Sequence, residues 1–114
     1  MSEKTLFEKI IAREIPADIV FEDAQCIAFR DINPQAPMHI LMCPKKPIPM
    51  LSAVTLEDTA LLGQLMMTAA AIATREGYGD AFRVVINNGA AVGQTVFHLH
   101  LHLLGGRRFN WPPG

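Results

Sequence analysis

Apolar and polar positions along the chain switch between three kinds of spacing, and each kind predicts an element. Thr5-Leu6-Phe7-Glu8 has the threonine-to-glutamate spacing of a capping box and opens a short helix with Ile10 and Ile11 turned inward, stopped by Pro16. Ile19 to Glu22 and Cys26 to Ile32 are short apolar runs that read as two strands, with a tight turn at Asp23-Ala24. Met38 to Cys43 reads as a third strand. Pro34, Pro37, Pro44 and Pro47 box it in, because proline has no N–H to give a ladder. Thr55-Leu56-Glu57-Asp58 opens the one long helix, with a capping hydroxyl and an acidic first turn at the positive end of the helix dipole. Leu61, Leu62, Leu65, Met66, Ala69, Ile72 and Ala73 recur at helical spacing as a wide apolar face, and Arg75 and Gly77 suit the last turn and the stop. Met66 and Met67 read as core or interface packing. Phe82 to Asn87 is a fourth strand and Thr95 to Leu104 a fifth. Five strands, two helices and short early links predict an α+β domain with an antiparallel sheet, helices on one face and the other face open.

Composition narrows this picture. The 114 residues make one domain, 1–114, with no repeat, linker or low-complexity segment. Half of the residues are hydrophobic and mean hydropathy is +0.21, yet the most apolar stretch, Ala60 to Ala73, is broken by Gly63, Gln64 and Thr68, so no membrane span is expected. The apolar excess points instead to a buried subunit interface, with a sticky binding groove as the competing reading. A net charge of −1 without a basic block argues against a nucleic-acid partner. Met1-Ser2-Glu3-Lys4 leads into mixed charge with no apolar signal core. Cys26 and Cys43 lie in apolar runs and form no C-x-x-C pair, which reads as reduced core thiols. Together these features predict a cytoplasmic protein.

The candidate chemistry is concentrated in His98-Leu99-His100-Leu101-His102, which holds three of the chain's four histidines. On a strand these imidazoles would share one face, about 6.6 Å apart between neighbouring Cα atoms, with Leu99, Leu101 and Leu103 turned into the core. Three readings compete at this point: a solvated or hydrogen-bonded histidine face, two or three ligands to zinc, and phosphoryl transfer with an imidazole nucleophile. For the last, His100 is the candidate nucleophile, His98 would orient it and His102 would contact phosphate or leaving group. The loop Asn87-Asn88-Gly89-Ala90-Ala91-Val92-Gly93-Gln94-Thr95 precedes the row and delivers a hydroxyl to it. It is either a plain hairpin loop or an anion-binding one. Its glycine spacing is wrong for a Walker A loop and no lysine follows.

The segment from Gly93 through His98-Leu99-His100-Leu101-His102-Leu103-Leu104-Gly105-Gly106-Arg107, together with the terminal Trp111-Pro112-Pro113-Gly114, resembles the signature of the histidine triad (HIT) family. Asp31-Ile32-Asn33-Pro34-Gln35-Ala36-Pro37-Met38-His39, Pro44-Lys45-Lys46 and the opening Phe7-Glu8-Lys9-Ile10-Ile11 fit as well. The Gly-Gly-Arg and Trp-Pro-Pro-Gly elements are similar to the Hint-type branch, the histidine triad nucleotide-binding proteins. This resemblance implies a HIT-like fold whose sheet extends across a homodimer. It implies a purine nucleoside phosphoramidase, or adenylyl-amine hydrolase, that cleaves a P–N bond through a nucleotidyl-histidine. His100 would be the nucleophile, oriented by His98 with His39 nearby, and His102 and Thr95 would contact the phosphate and help protonate the amine. Asn87, Gly93 and Gln94 would hold phosphate oxygens and Asp31 the ribose hydroxyls. Phe7, Ile10 and Ile32 would form the slot for the base of an AMP- or GMP-type nucleotide, bordered by Trp111 of the partner subunit. No cofactor and no metal is expected.

From the residues alone, Asp31 could equally be a turn cap, Phe7 and Ile10 core residues, His39 a satisfied core histidine, and Lys45-Lys46 a solvated turn. The chain departs from the family pattern at Thr95, where serine is common, at Asn88, where glutamate is common, and in the apolar Ala90-Ala91-Val92. Hydrolysis of dinucleoside polyphosphates, a nucleotide-binding scaffold with vestigial catalysis, and a zinc hydrolase are the alternatives.

Overall fold

Thr5 opens the first helix as its sequence predicts. In the computed structural model, which describes residues 4–114, the Thr5 hydroxyl accepts from the Glu8 N–H while the Glu8 carboxylate accepts from the Thr5 N–H. The mixed-charge opening at residues 1–3 lies outside the described residues. Helix α1 (Leu6–Ile11) ends before Pro16 has any say in it. Arg13 takes a positive φ of 62°, the Arg13 N–H bonds the Ile10 carbonyl and the Glu14 N–H bonds the Lys9 carbonyl, which closes the helix with a Schellman motif.

Strands β1 (Ile19–Glu22), β2 (Cys26–Arg30), β3 (Met38–Pro44), β4 (Phe82–Val85) and β5 (Leu101–Gly105) form one antiparallel sheet in the order β1-β2-β3-β5-β4. Asp23 makes the first hairpin by accepting the N–H groups of Gln25 and Cys26 on its own carboxylate. Helix α2 (Thr59–Arg75) follows a 3-10 turn at Leu56–Asp58, so the long helix starts three residues later than a cap at Thr55 suggested. Leu65, Ala69, Ile72 and Ala73 press onto Met38, Ile40, Met42, Leu101 and Leu103 from one side of the sheet. Burying the larger of these side chains stabilises the fold by roughly 1.5–3 kcal/mol each. Met66 and Met67 point outward from α2, 48% and 72% exposed, so neither belongs to the core of this chain. Among the described residues no helix is long and apolar enough to cross a membrane.

The opposite face is less open than the sequence suggested. Phe7 and Ile10 of α1 pack on Ile27, Phe29, Leu41 and Cys43, so α1 roofs part of the histidine side. The fifth strand is also shorter than expected. Pairing with β3 starts at Met42–Leu101, leaving His98 and His100 in an unpaired approach to the strand. Pro44 lacks an N–H and its carbonyl is taken by the His98 ring, so β3 has nothing left to offer a longer β5.

The strand ends on two glycines for a steric reason. A Cβ on Gly105 would sit 3.0 Å from the Met38 Cε and 3.1 Å from the Tyr78 Cβ. One on Gly106, whose φ is +95°, would sit 2.8 Å from the Pro37 Cβ. Gly106→Ala is therefore expected to lower unfolding free energy by about 2–3 kcal/mol, from left-handed strain plus overpacking. A urea melt of the variant that overlays the parent's would refute this account of the turn.

Candidate active site

Cross-strand register puts Phe29, Leu41, His102 and Val85 opposite one another in a single row across β2, β3, β5 and β4. Residues opposed in an antiparallel sheet share a face, so this row is the floor of the α1 side. Above it lies a cavity of about 340 Å³. Leu6, Phe7, Ile10, Ile15, Pro16, Ala17, Phe29, Ile32, Leu41 and Val96 give it an apolar wall, and Arg30, Asp31, Asn87, Gly93, Thr95, His100 and His102 complete its lining.

The histidines are ordered by what their ring nitrogens face. The His100 Nδ1 lies 2.7 Å from the His98 carbonyl, which can only accept, so Nδ1 carries the hydrogen. That leaves the lone pair on Nε2, the nitrogen the ring has available to the cavity. The edge of one ring meets the face of the other where Phe7 packs against His100, with centroids 4.8 Å apart at 90°. His98 is buried behind this pair and does not line the cavity. Its Nε2–H donates to the Pro44 carbonyl at 2.6 Å, and its Nδ1 is buried without a hydrogen-bond partner among the described residues.

His39 and His102 form a second chain. The Gln35 N–H donates to the His39 Nδ1 at 3.0 Å, so the His39 hydrogen resides on Nε2. That nitrogen is 2.9 Å from the His102 Nδ1 and 3.5 Å from the Asp31 Oδ2. The His102 Nδ1 therefore accepts, and its hydrogen is on Nε2. The cavity thus meets a lone pair on one imidazole and an N–H on the next, with ring centroids 5.2 Å apart.

Burial lowers the pKa of all three of these rings. His102 falls furthest, to about 4, because burial is reinforced by His100 and His39 and only partly opposed by the Asp31 carboxylate. Burial lowers His100 as well, with its hydrogen bond to the His98 carbonyl working the other way. His39 is lowered by burial against the pull of Asp31. All three are neutral near neutral pH.

The connecting loop is a built structure. The Gln94 side chain accepts from the Gly89 N–H at 2.8 Å and donates to the Pro49 and Val96 carbonyls at 2.8 and 3.1 Å. Gln94 is 2% exposed and does not line the cavity; it acts as a strut between the loop ends. Gly93 has a φ of +105°, which its lack of a side chain permits.

The structure thus brings Phe7, Ile10, Asp31, Ile32, Asn87, Gly93, Thr95, His100 and His102 to one cavity. It holds His39 and His98 one layer behind, and leaves Trp111 82% exposed, away from this chain's cavity wall. Sequence reasoning missed Leu6, Arg30 and Val96, which are chain neighbours of predicted site residues, and five others. Leu41 follows His39 by two strand positions and Phe29 precedes Asp31 by two, so strand alternation contained that signal. Ile15, Pro16 and Ala17 lie in an irregular link, and only the packing of α1 reveals them.

Asp31, His39 and His102 bring three potential metal-ligating atoms within 4.8 Å of one another. Their geometry fits a hydrogen-bonded group better. The His39 and His102 nitrogens approach to 2.9 Å, closer than two imidazoles spaced around one zinc ion with bonds of about 2.0–2.1 Å, and Asp31 already accepts the Asn33 N–H.

Comparison with known proteins agrees with this arrangement. A family model for the HIT domain matches residues 12–109. The chain is 67% identical over 114 residues, the whole of both chains, to an uncharacterized HIT-like protein of Synechocystis. Its structure is similar to that of a HIT family hydrolase from Legionella pneumophila, with a TM-score of 0.95 and 48% identity over 97% of this chain and 100% of the other. It is also similar to a histidine triad nucleotide-binding protein from Candida albicans, with a TM-score of 0.82 and 27% identity over 97% and 85% of the two chains. The row of imidazoles, the fold that holds it and these likenesses agree: this chain belongs to the HIT domain family.

Proposed function

We propose that this protein is a Hint-type nucleoside phosphoramidase, a cytoplasmic homodimeric hydrolase that cleaves the P–N bond of purine nucleoside 5′-phosphoramidates. The observation that carries the reading is the 2.7 Å hydrogen bond from the His100 Nδ1–H to the His98 carbonyl. It directs the lone pair to Nε2, and it stabilises the positive charge the ring acquires as Nε2 bonds to phosphorus.

In the first step the His100 Nε2 attacks phosphorus. The P–N bond breaks, its electron pair stays on nitrogen, and the departing amine takes up a proton. The Nε2–H of neutral His102 donates to a phosphoryl oxygen, and a proton from solvent reaches the amine through the Thr95 hydroxyl. In the second step a water oxygen attacks phosphorus, the bond to Nε2 breaks, and the water's proton leaves to solvent. The products are the amine and the nucleoside monophosphate.

Asn87, Gly93 and Thr95 surround the phosphate end. The apolar wall from Phe7 to Ile32 suits a purine face, which such a wall recognises by shape and area. Met66, Met67 and the free edge of β4 offer an apolar face for a second copy, which would bring Trp111 of the partner subunit to the cavity mouth. The buried thiols of Cys26 and Cys43, both pushed up to about 12 by burial, suit a reducing compartment.

The test is turnover of adenosine 5′-phosphoramidates against diadenosine polyphosphates and AMP binding alone. Phosphoramidate cleavage in clear excess supports the proposal. Preference for the polyphosphate, or binding without turnover, replaces it with one of the alternatives. Asp31 supplies a finer check. Asp31→Asn is expected to raise KM about tenfold for ribonucleotide substrates and hardly at all for 2′,3′-dideoxy analogues, as one charge-assisted hydrogen bond is lost. An equal effect on both sugars would remove Asp31 from ribose recognition.

A further inference from the structure

One arginine outside the cavity reaches the paired histidines through a single backbone residue. The Arg107 Nε–H donates to the Gln35 carbonyl at 2.7 Å, and the Gln35 N–H donates to the His39 Nδ1 at 3.0 Å. His39 in turn contacts His102 at 2.9 Å. The guanidinium is held in place by its stack over Phe109, 4.0 Å from the ring centroid, and by donation from Nη1 to the Arg108 carbonyl at 2.9 Å. Arg107 does not line the cavity.

We propose that Arg107 is a positioning residue that sets the tautomer of His39 and, through it, the hydrogen that His102 presents to substrate. The other polar contacts of the loop at 31–37 are local. The Asn33 N–H donates to Asp31, and the Gln35 side chain donates to the Asn33 carbonyl. Arg107 ties this loop to a segment 72 residues further along the chain. The Arg107 Nε–H holds Gln35 at its carbonyl and the His39 Nδ1 holds it at its N–H, so the residue is fixed from both sides with that N–H aimed at His39.

The consequence follows from what a neutral imidazole can do. With the Gln35 N–H in place, the His39 Nδ1 must accept and its Nε2 must donate. If Gln35 drifts, His39 is free to place its hydrogen on Nδ1. Its Nε2 lone pair then faces the lone pair on the His102 Nδ1, and His102 relieves the clash by moving its own hydrogen to Nδ1. The His102 Nε2 becomes an acceptor pointed at phosphoryl oxygens, beside the His100 lone pair. Asp31, 3.5 Å from the His39 Nε2, opposes the switch, so the expected outcome is a mixture of tautomers.

The catalytic half of this inference rests on the proposed phosphoramidase reading; the tautomer half does not. The experiment is long-range ¹H–¹⁵N spectroscopy of histidine-labelled protein, with steady-state kinetics on an adenosine phosphoramidate. Arg107→Ala, Arg107→Lys and the neighbouring Arg108→Ala are compared, each with a thermal melt. In the parent and in Arg108→Ala, the nitrogen shifts of His39 and His102 should show single Nε2–H tautomers. In Arg107→Ala they should move toward tautomer averages, and kcat should fall about ten- to a hundredfold while KM stays within about twofold. Arg107→Lys, which keeps a charged donor in reach of the Gln35 carbonyl, should recover part of both. Unchanged nitrogen shifts in a folded Arg107→Ala protein, or shifted tautomers with unchanged kcat, would overturn the proposal. If the parent turns over no phosphoramidate, the functional reading fails and the nitrogen shifts alone decide the role of Arg107.

Discussion

His100→Ala is expected to leave a folded protein that forms no nucleotidyl-enzyme and turns over phosphoramidates at least about 10⁴-fold more slowly. The size follows from the division of labour at the site. A general acid or a phosphate contact can be partly replaced by water, but the atom that bonds to phosphorus cannot. His100 also donates to the His98 carbonyl and packs against Phe7, so truncation removes packing as well as chemistry. His100→Asn, which keeps a short polar group near that carbonyl, separates the two effects. Both variants should be inactive, and the asparagine form should melt closer to the parent. The decisive measurement is mass spectrometry of acid-quenched single turnovers. The parent should show one added nucleotidyl group on the peptide containing His100, and the variants none. An adduct that persists in His100→Ala would move the nucleophile elsewhere.

Acidification should strike the same site from two directions. The folded-state pKa values of His39, His100 and His102 lie below the ordinary 6.5, that of His102 at about 4. The unfolded chain therefore binds protons before the native one does. Stability is full above pH 6.5 and is lost as pH falls toward the native values. A tenfold difference in proton affinity between the folded and unfolded states corresponds to about 1.4 kcal/mol, so His102 alone represents on the order of 3 kcal/mol across that window. This is a large part of the roughly 5–15 kcal/mol that holds a domain together. Glu22, Asp23 and Asp58 also have lowered pKa values, but their losses begin nearer their ordinary values of 4.5 and 3.8. Urea midpoints taken between pH 7 and pH 5 therefore isolate the histidines. His102→Gln should flatten that dependence, and a parent whose midpoint is level from pH 7 to 5 would contradict the burial account. Over the same range, kcat/KM should hold steady through neutral pH and begin its acid fall below pH 6.5, as the free enzyme's nucleophile takes up a proton.

Several elements were legible in the sequence alone, each because a local rule matched the tertiary demand. The Thr5–Glu8 capping box, the Asp23 turn, the glycine stop at Gly77 and the apolar stripe of α2 all depend on groups within a few residues of one another. Where expectation and structure part, a distant group has intervened. The histidine segment alternates perfectly, yet only His102 of the three lies on a strand, because the Pro44 carbonyl captures His98 and the Ile48 carbonyl captures the Leu99 N–H at 2.6 Å. Gln94 has the position of a phosphate ligand and the contacts of a loop strut.

What the sequence by itself determined is the inventory of reactive groups and the faces on which they must lie. Strand and helix periodicity are properties of the backbone, so alternation alone already parted His102 from Leu101 and Leu103. What only the tertiary structure decided is which nitrogen of each imidazole carries the hydrogen. That depends on carbonyls and amides delivered from residues 35, 44 and 98, and a neutral imidazole is nearly indifferent to its two tautomers until such a partner chooses for it.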